Sequence, residues 1–216
     1  MTPVASVVVP AYGRPSDLMR LLAACAQQTM APERFQVVVS LDGPQPRTRA
    51  LLTALRPGFE LVVVEGPHAG RASACNRGVD AAHGDLVVML DDDMEPAPGW
   101  LAAHVAAHAG ARRRCVVGAA PIATQAGETR VRAHYRTRFN AHLARLASPG
   151  HRMSLRDFYS GNCSLRRDVL TEVGLYHIDF REYGNEDLEL ALRLTRAGVE
   201  IVFSQTAEAA QAWDKT

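Results

Sequence analysis

Lysine is almost missing from this chain: Lys215 is its only one among 24 basic residues. Arginine carries the rest of the positive charge, a bias that fits genome composition and also suits phosphate recognition. Neither sign of charge is in excess, since the formal net charge is +1, so no global field draws the chain toward nucleic acid. Cysteine pairs are missing too. Cys25, Cys75, Cys115 and Cys163 stand far apart with no CxxC spacing, which argues against a zinc site and for free thiols in a reducing compartment. No apolar run approaches the ~18 residues of a membrane span. The N-terminus enters a strand-like run at once, without a charged or long apolar leader. The chain reads as soluble and cytoplasmic. What it has in quantity is apolar bulk: 216 residues at 47% hydrophobic can bury one ordinary core.

The first half alternates Val-rich runs with helical patterns. The runs are Ala5–Val9, Gln36–Leu41, Leu61–Glu65, Asp85–Leu90 and Cys115–Ala120. Leu18, Leu21, Leu22 and Cys25 follow helical spacing, with Ser16 or Asp17 available as a cap. Gln45–Arg56, Ala72–Ala82 and Trp100–Ala109 read the same way. Such alternation specifies an α/β fold with a mostly parallel central sheet covered by helices on both faces. Ligands of such sheets bind beyond the C-terminal ends of the strands.

The polar residues at those ends form a set. The fourth run closes on Asp91, Asp92 and Asp93. Adjacent carboxylates repel one another, and a divalent cation relieves this best. Their hard oxygens suit Mg²⁺ or Mn²⁺. If the strand continued, Asp91 and Asp93 would share a face about 6.6 Å apart. The plainer alternative is an acidic turn capping a helix near Pro96. The first run is followed by Pro10-Ala-Tyr12-Gly-Arg-Pro15, the second by Asp42-Gly43, and the third by Gly66-Pro-His-Ala-Gly70-Arg71, leading to Asn76-Arg77-Gly78. One sheet edge thus offers a ring for a base, a carboxylate for base or ribose, arginines for phosphate, and a metal site. A nucleoside diphosphate needs all four.

These blocks continue in Gly161-Asn162-Cys-Ser-Leu-Arg166 and in Tyr183-Gly-Asn-Glu186-Asp187-Leu-Glu-Leu-Ala-Leu-Arg193. Their order and spacing over nearly the whole chain resemble the family 2 glycosyltransferases, which have the GT-A fold. The resemblance implies a single catalytic domain over residues 1–216. About 1–120 would form the half that binds the nucleotide-sugar donor, and about 121–216 the half for the acceptor and catalytic base. It implies that Pro10, Tyr12 and Asp42 hold base and ribose, and that Arg71, Asn76, Arg77, Asp91 and Asp92 contact the rest of the donor. Asp93 would hold the Mn²⁺ or Mg²⁺ bound to the diphosphate. Gly161, Asn162 and Glu186 would line the sugar and hydroxyl-acceptor site, and Asp187 would be the base. The chemistry agrees: inverting transfer needs a base for the acceptor hydroxyl and a charge sink for the departing diphosphate. A single displacement needs no nucleophile on the opposite face. The competing reading of Glu186, Asp187 and Glu189 is a set of helix-dipole partners after an Asn185 cap.

Two positions depart from the family pattern. Cys75 stands where an arginine commonly precedes Asn-Arg-Gly, leaving Arg71 or Arg77 to replace it. No histidine follows His177, so either water fills the place that a histidine takes in many relatives, or the closing element lies beyond residue 216. Rival classes fit less well. A haloacid-dehalogenase-type phosphatase carries its Asp-x-Asp near the start of the fold, and a sugar nucleotidyltransferase opens with a Gly-rich loop where this chain has Pro-Ala-Tyr. A non-catalytic nucleotide-sugar-binding relative would not need both Asp93 and Asp187. Along Glu128–Leu146, Val131, Tyr135, Phe139, Leu143 and Leu146 form an apolar stripe flanked by arginines. Packing on the sheet is the expectation, with a membrane or lipid-linked acceptor surface as the alternative. His104 and His108 have metal-ligand spacing but no third partner in sequence, so they are expected to be surface or packing residues.

Overall fold

The computed structural model describes residues 3–180 and 185–212. Seven strands form the central sheet in the order β3-β2-β1-β4-β7-β6-β8. They are β1 (Ala5–Ala11), β2 (Phe35–Asp42), β3 (Glu60–Gly66), β4 (Leu86–Leu90), β6 (Arg114–Gly118), β7 (Asn162–Arg166) and β8 (Glu200–Ser204). The neighbours in β3-β2-β1-β4 run parallel, as do β6 and β8. Only β7 opposes its neighbours, pairing antiparallel with both β4 and β6. The expected mostly parallel sheet is therefore present.

The apolar strands sort their side chains by the period of two. Val7 and Val9 of β1 face a core with Val37, Val39 and the leucines of helix α1 (Pro15–Cys25). Val8 and Val38 face the opposite core, with Cys75 and Val79 of α3 (Arg71–Asp80) and Leu190 and Leu194 of α7 (Glu186–Arg196). Helix α3 approaches very closely, because a Cβ on Gly78 would stand 2.4 Å from Val8 Cγ1. All four cysteines are free and buried. Burial pushes the Cys25 and Cys75 thiols up to about 12, so neither is a nucleophile at neutral pH.

Several local expectations are corrected. Neither Ser16 nor Asp17 caps α1: the N-cap position is Arg14, Pro15 begins the helix, and Asp17 pairs with Arg20 at 2.5 Å. Strand β4 ends at Leu90, so Asp91 and Asp93 lie on a turn rather than on one strand face. The turn leads into β5 (Met94–Pro96), which pairs with β9 (Ala209–Gln211) and brings the far end of the described chain back to the acidic run. Helix α5 (Arg130–Leu146) buries only Leu143 and Leu146 of its stripe, and Val131 is 80% exposed. Phe139 packs against the core as well, and the Asn140 amide and the Ile122 backbone exchange two 3.0 Å hydrogen bonds.

The antiparallel β7 has a consequence for the site. Asn162 pairs with Leu90, so β7 begins where β4 ends. Gly161 therefore lies beside the acidic turn, and its carbonyl accepts the Asp91 N–H at 2.9 Å.

Candidate functional site

A cavity of about 520 Å³ opens at the C-terminal ends of β1, β2 and β4. Pro10, Tyr12, Asp42, Arg71, Asp91, Asp92, Asp93 and Glu186 line it, together with Arg14, His68, Phe180 and Gln211. Most of the residues singled out by sequence thus meet at one place.

The three aspartates are sent to three different partners. Asp91 accepts two hydrogen bonds on Oδ1, from Nε and Nη2 of Arg71 at 3.0 and 2.7 Å. Asp92 Oδ2 accepts the Tyr12 N–H at 3.1 Å. Asp93 Oδ2 lies 2.8 Å from Nη1 of Arg14. Burial, reinforced by Asp91 and Asp93, pushes Asp92 up to about 7, against the pull of the Tyr12 N–H and Arg14. Like charges held this closely store repulsion that a cation relieves.

Arg71 connects this turn to the acidic helix. Its Nη1 donates to Ser160 Oγ at 3.0 Å and stands 3.6 Å from Asp187 Oδ1. Ser160 in turn donates its hydroxyl to Asp187 Oδ1 and its backbone N–H to Oδ2 at 3.2 Å. Burial alone would lower the Arg71 guanidinium, but Asp91 and Asp187 hold it well above its ordinary value. It is therefore a fixed cation between two carboxylates. Gly161 gives Asp91 the room it needs, since a Cβ there would fall 2.5 Å from Asp91 Oδ2. Asn185 does sit at the N-cap of α7, in the left-handed conformation (φ 66°) and without a side-chain capping bond.

On the opposite wall Tyr12 and His68 stack with ring centroids 4.3 Å apart and 16° between planes. His68 Nδ1 is 2.8 Å from Asp42 Oδ2. Asp42 also accepts the N–H groups of Ala69 and Gly70, at 2.9 and 3.1 Å. Its carboxylate thus shapes the loop that delivers Arg71.

Five residues expected in the site do not line the cavity: Gly161 and Asp187 are joined to it through Asp91 and Arg71, whereas Asn76, Arg77 and Asn162 are held elsewhere. The Asn76 amide exchanges hydrogen bonds with the Tyr176 backbone, at 2.8 and 2.9 Å, and ties α3 to that segment. Arg77 donates to Ser40 Oγ and the Leu41 carbonyl, at 3.2 and 3.0 Å, locking α3 on β2. Of the two arginines considered as substitutes for one at Cys75, only Arg71 reaches the cavity. Asn162 is fully buried. Its Nδ2 donates to the carbonyls of Ala119 and Ala207, and its Oδ1 accepts Trp100 Nε1–H at 2.8 Å. That orientation makes His104 Nε2, 3.0 Å away, a donor to Oδ1. Ser164 must then donate to His104 Nδ1 and accept from His108 Nε2, at 2.8 and 2.9 Å. Burial lowers both histidines to about 4, consistent with neutral rings in a packing network.

Arg14, His68 and Ser160 were not singled out from the sequence. Arg14 and His68 sit inside segments that follow β1 and β3, so strand-end position was the available signal. For Ser160 the only signal was its place just before Gly161.

The carboxylates fit a divalent ion of a particular kind. Among the described residues no group of three or more His, Cys, Asp or Glu side chains is arranged to hold a metal. Asp93 and Asp91 nonetheless supply hard oxygens at the cavity. Mg²⁺ and its like bind commonly through one or two carboxylates plus substrate phosphates. The donor set matches that mode.

Residues 6–174 match the sequence profile described as "Glycosyl transferase family 2". The chain is 29% identical over 232 residues to a validoxylamine A glucosyltransferase of Streptomyces hygroscopicus subsp. limoneus, covering 94% of this chain and 50% of that protein. It is 28% identical over 199 residues to the succinoglycan biosynthesis protein ExoM of Rhizobium meliloti, covering 91% of this chain and 62% of that one. The chain thus spans about half to three-fifths of these curated relatives. The mannosyltransferase PcManGT of Pyrobaculum calidifontis, solved with GDP-Man and Mn²⁺, superimposes with a TM-score of 0.73 at 22% identity, over 100% of this chain and 58% of that one. The fold is that of the GT-A glycosyltransferases, and with the match running through most of its length, this chain belongs to glycosyl transferase family 2.

Proposed function

We propose that the chain transfers a sugar from a nucleoside diphosphate donor to a hydroxyl acceptor, with inversion. The observation that carries this reading is the Arg71 bridge, which holds Asp91 at the end of β4 and Asp187 at the start of α7 in one hydrogen-bonded cluster. Diphosphate departure and proton removal must occur within reach of each other in a single displacement, and this cluster joins the two groups suited to them.

In this reading Tyr12 and Asp42 hold the nucleobase side of the donor, and Arg14 and Arg71 face its phosphates. Asp93, with Asp91 beside it, would hold a divalent ion, whose positive charge would offset the charge growing on the leaving oxygens. Mn²⁺ accompanies GDP-Man in the similar PcManGT, which supports divalent-metal dependence here. Asp187 accepts the acceptor hydroxyl proton. Ser160, donating to both of its oxygens, fixes the orientation of the carboxylate. Glu186 lines the cavity next to Asp187 and belongs to the sugar and acceptor side.

The test is calorimetric binding of UDP, GDP, dTDP and CDP, with and without Mn²⁺, to the wild type and to Asp93→Ala. Slow donor-sugar hydrolysis is then compared between the wild type and Asp187→Asn. Metal-dependent binding of one nucleotide, lost in Asp93→Ala, and hydrolysis reduced about 10²- to 10⁴-fold in Asp187→Asn are expected. Failure of every nucleotide to bind would reject the donor site. Binding with no turnover, even with water, would instead favour a non-catalytic relative.

A further inference from the structure

The nucleobase wall of the cavity is already occupied by one of the protein's own rings. His68 stacks on Tyr12 at 4.3 Å and places Nδ1 2.8 Å from Asp42 Oδ2. Nδ1 and the carboxylate oxygen are in close polar contact. The imidazole therefore occupies both places assigned above to a base: the face of Tyr12 and the edge of Asp42. A base sandwiched between the two rings would need them about 7 Å apart, twice an ordinary stacking distance. The observed 4.3 Å leaves no such gap. Asp42 is occupied further, since its two oxygens also accept the Ala69 and Gly70 N–H groups.

We propose that His68 is a stand-in for the nucleobase, a side-chain shutter that must leave Tyr12 and Asp42 before the donor base can take its place. This rests on the donor site proposed above. Both rings are free to part, for the His68 side chain is 57% exposed and Tyr12 likewise 57%. The exchange costs least for a base that offers the carboxylate a polar contact in return, a ring N–H directed at it. Uracil, thymine and guanine carry one. Cytosine and adenine do not.

Binding of UDP, dTDP, GDP, CDP and ADP in the presence of Mn²⁺ is measured by calorimetry for the wild type, His68→Ala and His68→Phe, with inorganic pyrophosphate as a ligand that lacks a base. His68→Ala is expected to bind the preferred nucleotide about tenfold more tightly, the factor imposed by a site open roughly a tenth of the time. Pyrophosphate affinity stays unchanged. His68→Phe, which keeps the stack and loses the polar contact, falls between the two and provides the comparison if the alanine variant folds poorly. Weaker nucleotide binding in His68→Ala would overturn the proposal, because His68 would then be part of the base platform. An equal gain for pyrophosphate would overturn it too, by moving the effect away from the base. No nucleotide binding by any form, with pyrophosphate still bound, would reject the donor site itself.

Discussion

Arg71 reaches Asp91 through two nitrogens that converge on one carboxylate oxygen, at 3.0 and 2.7 Å. The pair is partly buried, and the same guanidinium extends to Ser160 and Asp187. Removing it leaves Asp91 without its cation and Asp187 with only the two Ser160 hydrogen bonds. Arg71→Met is expected to lower the unfolding free energy by about 3 kcal/mol, the low end for breaking a buried pair. Adding Asp91→Asn should restore part of that loss, because the neutral amide no longer needs the cation. Urea denaturation of both single variants and the double variant gives the coupling. Strictly additive losses would mean that the two side chains do not depend on each other.

Gly161 has no side chain because Asp91 occupies the space where one would be. With a Cβ placed 2.5 Å from Asp91 Oδ2, Gly161→Ala must displace either the carboxylate or the start of β7. The carboxylate is the softer of the two, since Asn162 is pinned by four buried hydrogen bonds. The variant should therefore fold, with a thermal midpoint within a few degrees of wild type, yet lose at least about tenfold in donor turnover through misplacement of the Asp91–Arg71 pair. A variant with normal turnover would show that Asp91 need not stay where Gly161 allows it.

The buried histidines predict how stability responds to acid. His104 is neutral in the folded chain and titrates at about 4, whereas an exposed histidine titrates near 6.5. Below pH 6.5 the unfolded chain therefore takes up a proton that the folded chain refuses, and stability falls as pH drops until about pH 4. The slope reaches about 1.4 kcal/mol per pH unit for each such histidine. His104→Gln, measured by denaturation from pH 8 to pH 4, should be less stable than wild type at pH 8 but lose less on acidification. An unchanged slope would show that His104 does not carry the effect.

The sequence made the sheet legible wherever a strand was apolar on both faces. Val7–Val9 and Leu86–Leu90 stand out because strands buried on both faces read as near-continuous apolar runs. Strand β7 was harder to see. Asn162, Ser164 and Arg166 alternate with Cys163 and Leu165, and Asn162 and Ser164 are satisfied by Trp100, His104 and His108, far away in sequence. The same long-range network explains why Asn162 reads as a site residue beside Gly161 yet lies in the core. Tyr12, Asp42 and Arg71 were legible as strand-end residues. Ser160 was not, because its role depends on Arg71 and Asp187, which lie far from it in sequence. The stripe on α5 was legible in part: Phe139, Leu143 and Leu146 pack while Val131 and Tyr135 stay exposed, since helical spacing shows that a face exists but not how much of it is covered.

Arg14 and a divalent ion would compete for the same carboxylate. Nη1 of Arg14 stands 2.8 Å from Asp93 Oδ2 and 3.8 Å from Asp92 Oδ1. If Asp93 is the metal ligand, the guanidinium must yield as the ion arrives, and its removal should help. Arg14→Gln is expected to tighten Mn²⁺ binding about tenfold in the absence of nucleotide, the equivalent of one charge-assisted contact of about 1.4 kcal/mol. The same variant should weaken binding of the Mn²⁺–nucleotide complex, since Arg14 lines the cavity where the diphosphate would lie. Titration of Mn²⁺ followed by electron paramagnetic resonance separates the two effects, with Asp93→Ala as the reference for loss of the ligand. Weaker Mn²⁺ binding in Arg14→Gln without nucleotide would place the metal away from Asp93 and leave Arg14 as that residue's permanent partner.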